Sequence, residues 1–187
     1  MKLILASESP RRRDILQKAG FSFEIHSELV EELKAAEDPA ALPLKNAQLK
    51  ALATAEKFPD ALVLGADTIV LHNGRILGKP AGEKEAEEML FSLSGSTHQV
   101  ITGVALVSLG HGINLCWGES TAVTFKPFSR ETVREYMKLV SVLDKAGAYG
   151  IQEHGDMLLE NLSGELENVI GLPLKKVQQT LLELGCK

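Results

Sequence analysis

The sequence has only two cysteines, Cys116 and Cys186, in a chain of 187 residues. Two widely spaced thiols are too few for a disulfide framework or a zinc knuckle. We expect both to be free, with Cys116 buried and Cys186 in a loose tail. The sequence also lacks an apolar run near the roughly 20 residues that a membrane span requires, and its first residues do not follow the pattern of a signal peptide. These absences predict a cytoplasmic protein with no membrane partner.

Basic residues are not in excess, since 20 Lys and Arg stand against 25 Asp and Glu and the formal net charge is −5. A protein that binds nucleic acid nonspecifically usually carries a basic face over much of its surface, so we expect no nucleic-acid partner. The chain is 44% hydrophobic, which is typical of a globular protein that buries a core. We expect residues 1–187 to form one domain or two small lobes.

Strand and helix patterns alternate along the whole chain, which predicts an α/β fold. The expected strands cover residues 2–6, 21–26, 61–66, 69–71, 76–77, 98–109 and 114–125. The expected helices cover residues 10–19, 44–58, 86–93, 130–140 and 174–184. Asn73-Gly74 is a strong signal for a two-residue hairpin turn. Residues 144–171 contain five glycines and little periodicity, so we expect a long ordered loop of the kind that is usually functional.

Residues 3–13, where a buried strand is expected to turn into a helix, have the composition of an anion site. Ser9 suits the N-cap and Pro10 the first helical position, so the first N–H groups of the helix should point outward. Those groups, the helix dipole and the three arginines at 11–13 all favour phosphate. The alternative is a basic, solvated first turn. An anion site is favoured because positive charge in a first turn opposes the helix dipole.

Asp67 directly follows the apolar run of residues 61–66. Polar groups at the carboxyl ends of strands in open α/β sheets tend to face the ligand crevice, where a carboxylate can hold a divalent ion or activate water. An Asp at a strand end is equally a common cap or turn residue. Glu31 and Glu32 offer a second oxygen ligand, since Mg²⁺ on a triphosphate needs only one or two protein carboxylates. Taken alone, this acidic stretch is typical of a solvated face.

Three further side chains are candidates with ordinary alternatives. Lys79 lies between Gly78 and Pro80, which favours an extended conformation that presents the ammonium to a phosphate; a plain turn is the alternative. Lys50 flanks the apolar face of the second helix, where a solvated lysine is the default. His98 begins a strand, and a lone histidine there is more often structural than catalytic.

Together these segments resemble the Maf family of nucleoside triphosphate pyrophosphatases, proteins first described as septum-formation inhibitors. The resemblance covers essentially the whole chain, and its motifs follow the family's order. They are residues 5–12 (LASESPRR), 65–68 (GADT), 78–80 (GKP), 93–95 (LSG) with His98, 102–103 (TG), 144–152 (DKAGAYGIQ) and 168–173 (NVIGLP). The resemblance implies a mixed twisted sheet with flanking helices, similar to that of the inosine triphosphatases, with a cleft between two lobes and a homodimer.

The resemblance also implies a reaction, the cleavage of a nucleoside triphosphate between its α- and β-phosphates with Mg²⁺ or Mn²⁺. Carried over by position, the phosphate ligands are Ser7, Arg12, Lys50 and Lys79. Asp67 and Glu31 are the expected ligands of the metal and of the attacking water, and Asp67 is the best candidate for the general base. Together with Lys79 they form the expected catalytic set. The family reads Asp-Glu where this chain has Val30-Glu31-Glu32, so a slip of the register by one residue stays open.

Two subfamilies differ at three positions that read the base. One has Arg, Thr and Gln and prefers dTTP and UTP; the other has Trp, Gln and Glu and prefers 7-methylguanosine triphosphate. This chain has Arg11, Thr68 and Gln152. The amide of Gln152 can donate to and accept from the uracil or thymine edge, whereas a Glu and a stacked Trp suit a cationic methylated purine. We therefore expect dTTP and UTP as substrates, with modified pyrimidine nucleotides as further candidates.

Two other functions stay open at this point. The first is a non-catalytic nucleotide-binding or partner-binding regulator of septum formation, which has no need to keep Asp67, Lys79 and the arginine cluster together. The second is a pyrophosphatase for 7-methyl-GTP or for deaminated purine triphosphates such as ITP. Only the family comparison at Arg11 and Gln152 disfavours this second alternative.

Overall fold

The computed structural model describes residues 1–186 and confirms the expected alternation of strands and helices. The strands are β1 (Leu3–Leu5), β2 (Phe23–Ile25), β3 (Leu62–His72), β4 (Arg75–Leu77), β5 (Thr97–Ser108), β6 (Ile113–Phe125) and β7 (Leu159–Ser163). The helices are α1 (Pro10–Lys18), α2 (Leu42–Lys57), α3 (Glu83–Ser92), α4 (Arg130–Leu139), α5 (Leu166–Ile170) and α6 (Leu174–Glu183). Over this described part of the chain, every helix is too short or too polar to cross a bilayer.

The strands form one mixed sheet in the order β2-β1-β3-β5-β6-β7, with β4 paired to β3. β1 runs parallel to both β2 and β3, whereas β4 is antiparallel to β3 and β7 is antiparallel to β6. Internal contacts divide the chain into two compact units. The first unit contains Met1–Asp67, Thr102–Glu119 and the chain from Gly171 onward, and the second contains Thr68–Ile101 and Ser120–Ile170.

In the first unit, helix α2 packs on the sheet through small residues. Ala47, Ala51 and Ala55 are fully buried on one face of the helix. Two glycines of the sheet lie directly beneath it: a Cβ at Gly65 would lie 2.9 Å from Ala51 N and closer still to a backbone oxygen of α2, and a Cβ at Gly103 would collide with the backbone at the start of α2. At these two points the helix backbone therefore lies directly against the backbone of β3 and β5.

The core of the second unit contains buried aromatic side chains. Helices α3 and α4 contribute Leu90 and Tyr136, and strand β6 contributes Phe125, all of which are buried. The expected hairpin is confirmed, because β3 and β4 pair from His72 with Arg75 and both turn residues have positive φ, 50° at Asn73 and 74° at Gly74. This pair of left-handed residues is the signature of the turn that Asn-Gly favours.

The structure corrects the predicted end of the strand before Asp67. β3 continues through Asp67 to His72, so the carboxylate lies inside a strand. Pairing with β1 covers only Leu62 to Leu64, and pairing with β4 begins at Val70. Asp67 thus lies beyond the pairing with β1 and before the pairing with β4, in a strand whose other neighbour in the sheet is β5. These partners are distant in sequence, so local sequence does not reveal where the strand ends.

Three other expectations were wrong. Residues 144–171 are not one loop, because they contain β7 and α5; β7 is a partly exposed edge strand with weak alternation, which hid it from the sequence pattern. Cys116 is exposed, since it lies on an exposed stretch of β6. Cys186 is buried after the end of α6, with Sγ 3.7 Å from Met1 O. Both thiols are free, as expected.

Candidate functional site

Helix α1 starts where the sequence predicts, but the hydroxyl contacts at its start differ from those expected. Ser9 occupies the N-cap and Pro10 follows it, but the Ser9 side chain makes no capping hydrogen bond. The buried Ser7 hydroxyl makes contacts of a different kind: it accepts from Ser9 N at 3.3 Å and from Arg12 Nη1 at 3.1 Å. The oxygen of Ser7 is therefore fixed, and its own O–H group remains a donor.

Two of the three arginines belong to this cluster. Arg12 Nε donates to Gly171 O at 2.8 Å, so its guanidinium is anchored on both sides. Burial lowers the pKa of Arg12, and the negative charge of Asp67 acts against this shift, while Arg11 adds to it. Arg13 is exposed and pairs with Asp14 at 3.3 Å. Successive helical residues point about 100° apart, which prevents three in a row from facing one ligand.

Asp67 is held from two sides by residues of α2. Its Oδ1 accepts from Lys50 Nζ at 2.8 Å, and its Oδ2 accepts from Asn46 Nδ2 at 3.3 Å. The Lys50 and Asp67 side chains are only 15% and 14% exposed. Lys50 is therefore not the solvated lysine that its helix position suggests by default, because it spans from the helix to the carboxylate.

The acidic stretch contributes Glu32 to this cluster. Its Oε1 lies 2.9 Å from Lys50 Nζ, so Lys50 joins two carboxylates. Glu31 is exposed, and its predicted metal role remains a prediction. The ion pair falls one residue beyond the position carried over from the family pattern, and the slip of register at Val30-Glu31-Glu32 remains a prediction.

The sequence analysis missed Asn46. This side chain is buried, and besides its bond to Asp67 it accepts from Leu33 N at 2.8 Å and donates to Leu33 O at 3.1 Å. It thereby ties the acidic stretch to the strand that carries Asp67. A signal was present, because Asn46, Lys50 and Thr54 recur every four residues along the alanine-lined side of α2, and residues four apart share a helix face.

The second unit carries the other three predicted ligands. Thr68 is half-buried in β3, whereas Lys79 and Gln152 are exposed. Gly147 N donates to Gly78 O at 3.1 Å, so the loop that contains Lys79 is hydrogen-bonded to the segment that leads to Gln152.

The residues present fit a divalent metal that arrives with its substrate. In the chain from residue 1 to 186, no group of three or more His, Cys, Asp or Glu side chains is arranged to hold a metal. Asp67 and Glu32 nevertheless offer two carboxylates on either side of one ammonium. Carboxylate oxygens suit Mg²⁺ and Mn²⁺, and one or two of them suffice when phosphate oxygens and water complete the coordination.

His98 is structural, as the sequence favoured. It is 1% exposed, its Nε2 lies 2.8 Å from the Tyr149 hydroxyl, and its ring packs edge-on against Phe125 at 4.9 Å. The buried Nδ1 has no hydrogen-bond partner among the described residues. Burial, assisted by the charge of His72, lowers the pKa of His98 to about 4.

We expect this buried histidine to weaken the fold in acid. The unfolded chain binds the proton near pH 6.5 and the folded chain only near 4, so stability is present above 6.5 and is lost as the pH falls toward 4. Between pH 7.5 and 4.5 the loss should be about 2.5 kcal/mol of unfolding free energy. Urea unfolding at both pH values would measure it. His98→Gln should reduce the loss, while the exposed His111→Asn should not; equal losses in all three proteins would contradict the assignment.

Comparison with known proteins finds relatives over nearly the whole chain. A family model described as "Maf-like protein" matches residues 2–184. A protein from Akkermansia muciniphila named dTTP/UTP pyrophosphatase is 48% identical over 98% of this chain and 96% of its own length. Proteins of the same name from Symbiobacterium thermophilum and Bacillus cereus are 46% and 45% identical, over 98% and 96% of this chain and 94% of each relative.

A solved structure gives the same fold at lower identity. The Staphylococcus aureus Ham1 protein superposes with a TM-score of 0.52 at 16% identity, covering 98% of both chains. This similarity confirms the expected α/β architecture of the inosine-triphosphatase type. At such low identity it carries information about the fold alone.

Proposed function

The chain belongs to the Maf family, and on that premise we propose that it is a nucleoside triphosphate pyrophosphatase that hydrolyses dTTP and UTP to the monophosphate and pyrophosphate. Full-length relatives bearing the name dTTP/UTP pyrophosphatase support the choice of substrate. The observation that carries the reaction class is the Asp67 carboxylate held by Lys50 and Asn46, with the Arg12 charge beside it. Such a group can orient water at an electropositive site.

In this proposal the phosphates are bound by Ser7, Arg12, Lys50 and Lys79. Arg11, Arg12 and Lys50 bring three positive charges to the cluster, against two from Asp67 and Glu32. A triphosphate therefore adds negative charge where cations exceed carboxylates. The guanidinium of Arg12, which is held in place by Gly171 and Ser7, can donate to two phosphate oxygens. Lys79 adds a positive charge from its exposed loop.

Asp67 accepts the proton of the attacking water in this scheme. Lys50 holds one oxygen of the Asp67 carboxylate and Asn46 fixes the direction of the other. One water is consumed as the α–β anhydride is split into two phosphate products. A bound Mg²⁺ or Mn²⁺ would neutralise phosphate charge; Asp67 is its first candidate ligand, with Glu31 from the family pattern and Glu32 from the ion pair as candidates for the second.

Base selection is assigned to Arg11, Thr68 and Gln152. The amide of Gln152 presents one donor group and one acceptor, which matches the alternating edge of uracil and thymine. The edge of cytosine reverses part of that pattern, so UTP should be favoured over CTP. We place the enzyme in the cytoplasm, where its nucleotide substrates are used, and propose a homodimer with no nucleic-acid or membrane partner.

A nucleotide panel tests the proposal. Pyrophosphate release should be measured for dTTP, UTP, CTP, 7-methyl-GTP, ITP and dATP with Mg²⁺ and with Mn²⁺. We expect dTTP and UTP to give the highest kcat/KM, and release to stop when EDTA removes the metal. Preference for 7-methyl-GTP or ITP would replace the substrate assignment. A folded protein that turns over no nucleotide would favour a binding regulator instead.

A further inference from the structure

We infer that Tyr136 and Lys145 are positioning residues that hold the turn of residues 150–153 and, with it, the Gln152 amide. The inference rests on the proposed function, in which Gln152 reads the base. Gln152 itself is exposed, so the direction of its side chain depends on how firmly the backbone around it is held. Two buried side chains of the second unit contact the turn on either side of Gln152.

Tyr136 clamps the turn at its first residue. Its hydroxyl accepts from Gly150 N at 3.0 Å and donates to Gly150 O at 3.1 Å, so one side chain satisfies both backbone groups of Gly150. The residue is fully buried in α4. Burial raises the pKa of Tyr136 to about 12, so the hydroxyl keeps the proton that it donates. The turn is thereby fixed to the helical core of this unit.

Lys145 holds the other side of the turn through Glu153, the residue after Gln152. Its Nζ lies 3.3 Å from Glu153 Oε1 and 3.1 Å from Asp144 Oδ1, and it donates to Ser141 O at 2.5 Å. Three acceptors match the three N–H groups of an ammonium. Lys145 is only 5% exposed, and a buried charge is costly unless it is paired in this way. The ion pair therefore ties Glu153 to a buried ammonium that is itself held in place.

Contact between Lys145 and the turn also extends along the aliphatic stem. A Cβ added at Gly150 would lie 2.8 Å from Lys145 Cε, so the lysine stem packs directly on the glycine backbone. Glu153 N donates to Gly150 O at 3.1 Å, which closes the turn. The carbonyl of Gly150 thus bonds both Tyr136 and the residue that Lys145 holds.

Loss of either support should loosen Gln152 without touching the Asp67 cluster, whose described contacts lie in the first unit. We therefore expect an effect on base discrimination and KM with little effect on kcat. Kinetics of Tyr136→Phe and Lys145→Met with UTP and CTP would test this. The ratio of kcat/KM for UTP to that for CTP should fall about fivefold in Tyr136→Phe, as expected for one lost hydrogen bond. Lys145→Met should lower the ratio about tenfold, with KM rising and kcat within about twofold.

A double-mutant cycle separates positioning from general destabilisation. Gln152→Ala alone should reduce the UTP-to-CTP ratio, and adding Lys145→Met should reduce it no further, because the amide that Lys145 positions is already gone. Tyr149→Phe is the matched control: it removes a neighbouring buried hydroxyl that bonds His98 instead of the turn, and the ratio should stay at the wild-type value. Thermal unfolding of each variant fixes an assay temperature at which all are folded.

The outcomes are distinguishable from those of the proposed function. Folded Tyr136→Phe and Lys145→Met variants that retain the wild-type ratio would overturn the inference while leaving the enzyme assignment intact. Equal losses with and without Gln152→Ala would also overturn it, since the effect would not pass through Gln152. A wild-type ratio in Gln152→Ala would remove the base-reading role on which it rests. Absence of turnover in the wild-type protein would overturn the proposed function itself.

Discussion

Replacement of Asp67 by asparagine is expected to lower kcat for UTP about 10³-fold, which lies within the range for loss of a general base. Asparagine has nearly the same shape as aspartate and can still accept a hydrogen bond from Lys50. In the wild-type protein, Lys50 Nζ lies 2.8 Å from Asp67 Oδ1. It has no negative charge to attract a metal and cannot take the proton of the attacking water. The loss should appear in kcat more than in KM, because these interactions develop in the transition state.

The control for Asp67→Asn is the same chemical change at an exposed carboxylate. Asp14 lies on α1 and pairs with its neighbour Arg13 at the surface, so Asp14→Asn should keep wild-type kcat. Pyrophosphate release and circular dichroism on both variants would give rate and fold together. An Asp67→Asn protein that is folded and retains more than about a tenth of the wild-type kcat would show that Asp67 is not the base.

Exchange of Arg12 for lysine should reduce kcat/KM for UTP about 10²-fold, although charge is conserved. The guanidinium uses Nε for Gly171 O at 2.8 Å and Nη1 for Ser7 Oγ at 3.1 Å, and both contacts depend on its planar fork. An ammonium offers no such fork. The expected loss corresponds to about 3 kcal/mol, typical of one hydrogen bond to a charged group that is no longer made.

Arg13→Lys provides the comparison, because Arg13 is the next residue of the same helix but is exposed and paired with Asp14. Steady-state kinetics with UTP should leave this variant at wild-type kcat/KM. Urea unfolding of both variants would separate the kinetic loss from any loss of stability caused by the broken Gly171 contact. Equal kinetic effects at positions 12 and 13 would indicate that only the total basic charge of α1 matters.

Features set by local chemistry could be predicted from the sequence. Asn73-Gly74 forms its hairpin because both residues tolerate positive φ. Ser129 caps α4 with a bond from Thr132 N at 3.2 Å, and the alanines of α2 are buried as their spacing indicates. Each of these outcomes depends on a few neighbouring residues. Propensity and periodicity therefore suffice for them.

Features set by distant partners could not be predicted in this way. Asp67 lies within β3, a strand whose neighbours β1 and β5 come from other parts of the chain, and Glu32 reaches Lys50 from a stretch with no regular structure. The hydrogen bond between Arg12 and Ser7 depends on where the Arg12 side chain points. For the roles of Thr68 and Gln152 only the family resemblance gives a prediction, because neither residue type is unusual at its position.

The glycines under α2 allow the helix that carries Lys50 to lie close to the strand that carries Asp67. At Gly65 and Gly103 the backbone of α2 lies directly against the backbone of the sheet, and a Cβ at either position would collide with it. A side chain at either position would therefore push α2 away from the sheet. From this close packing the four-carbon stem of Lys50 brings its ammonium to 2.8 Å from Asp67 Oδ1, so a larger residue at position 65 or 103 would widen the gap that Lys50 has to span.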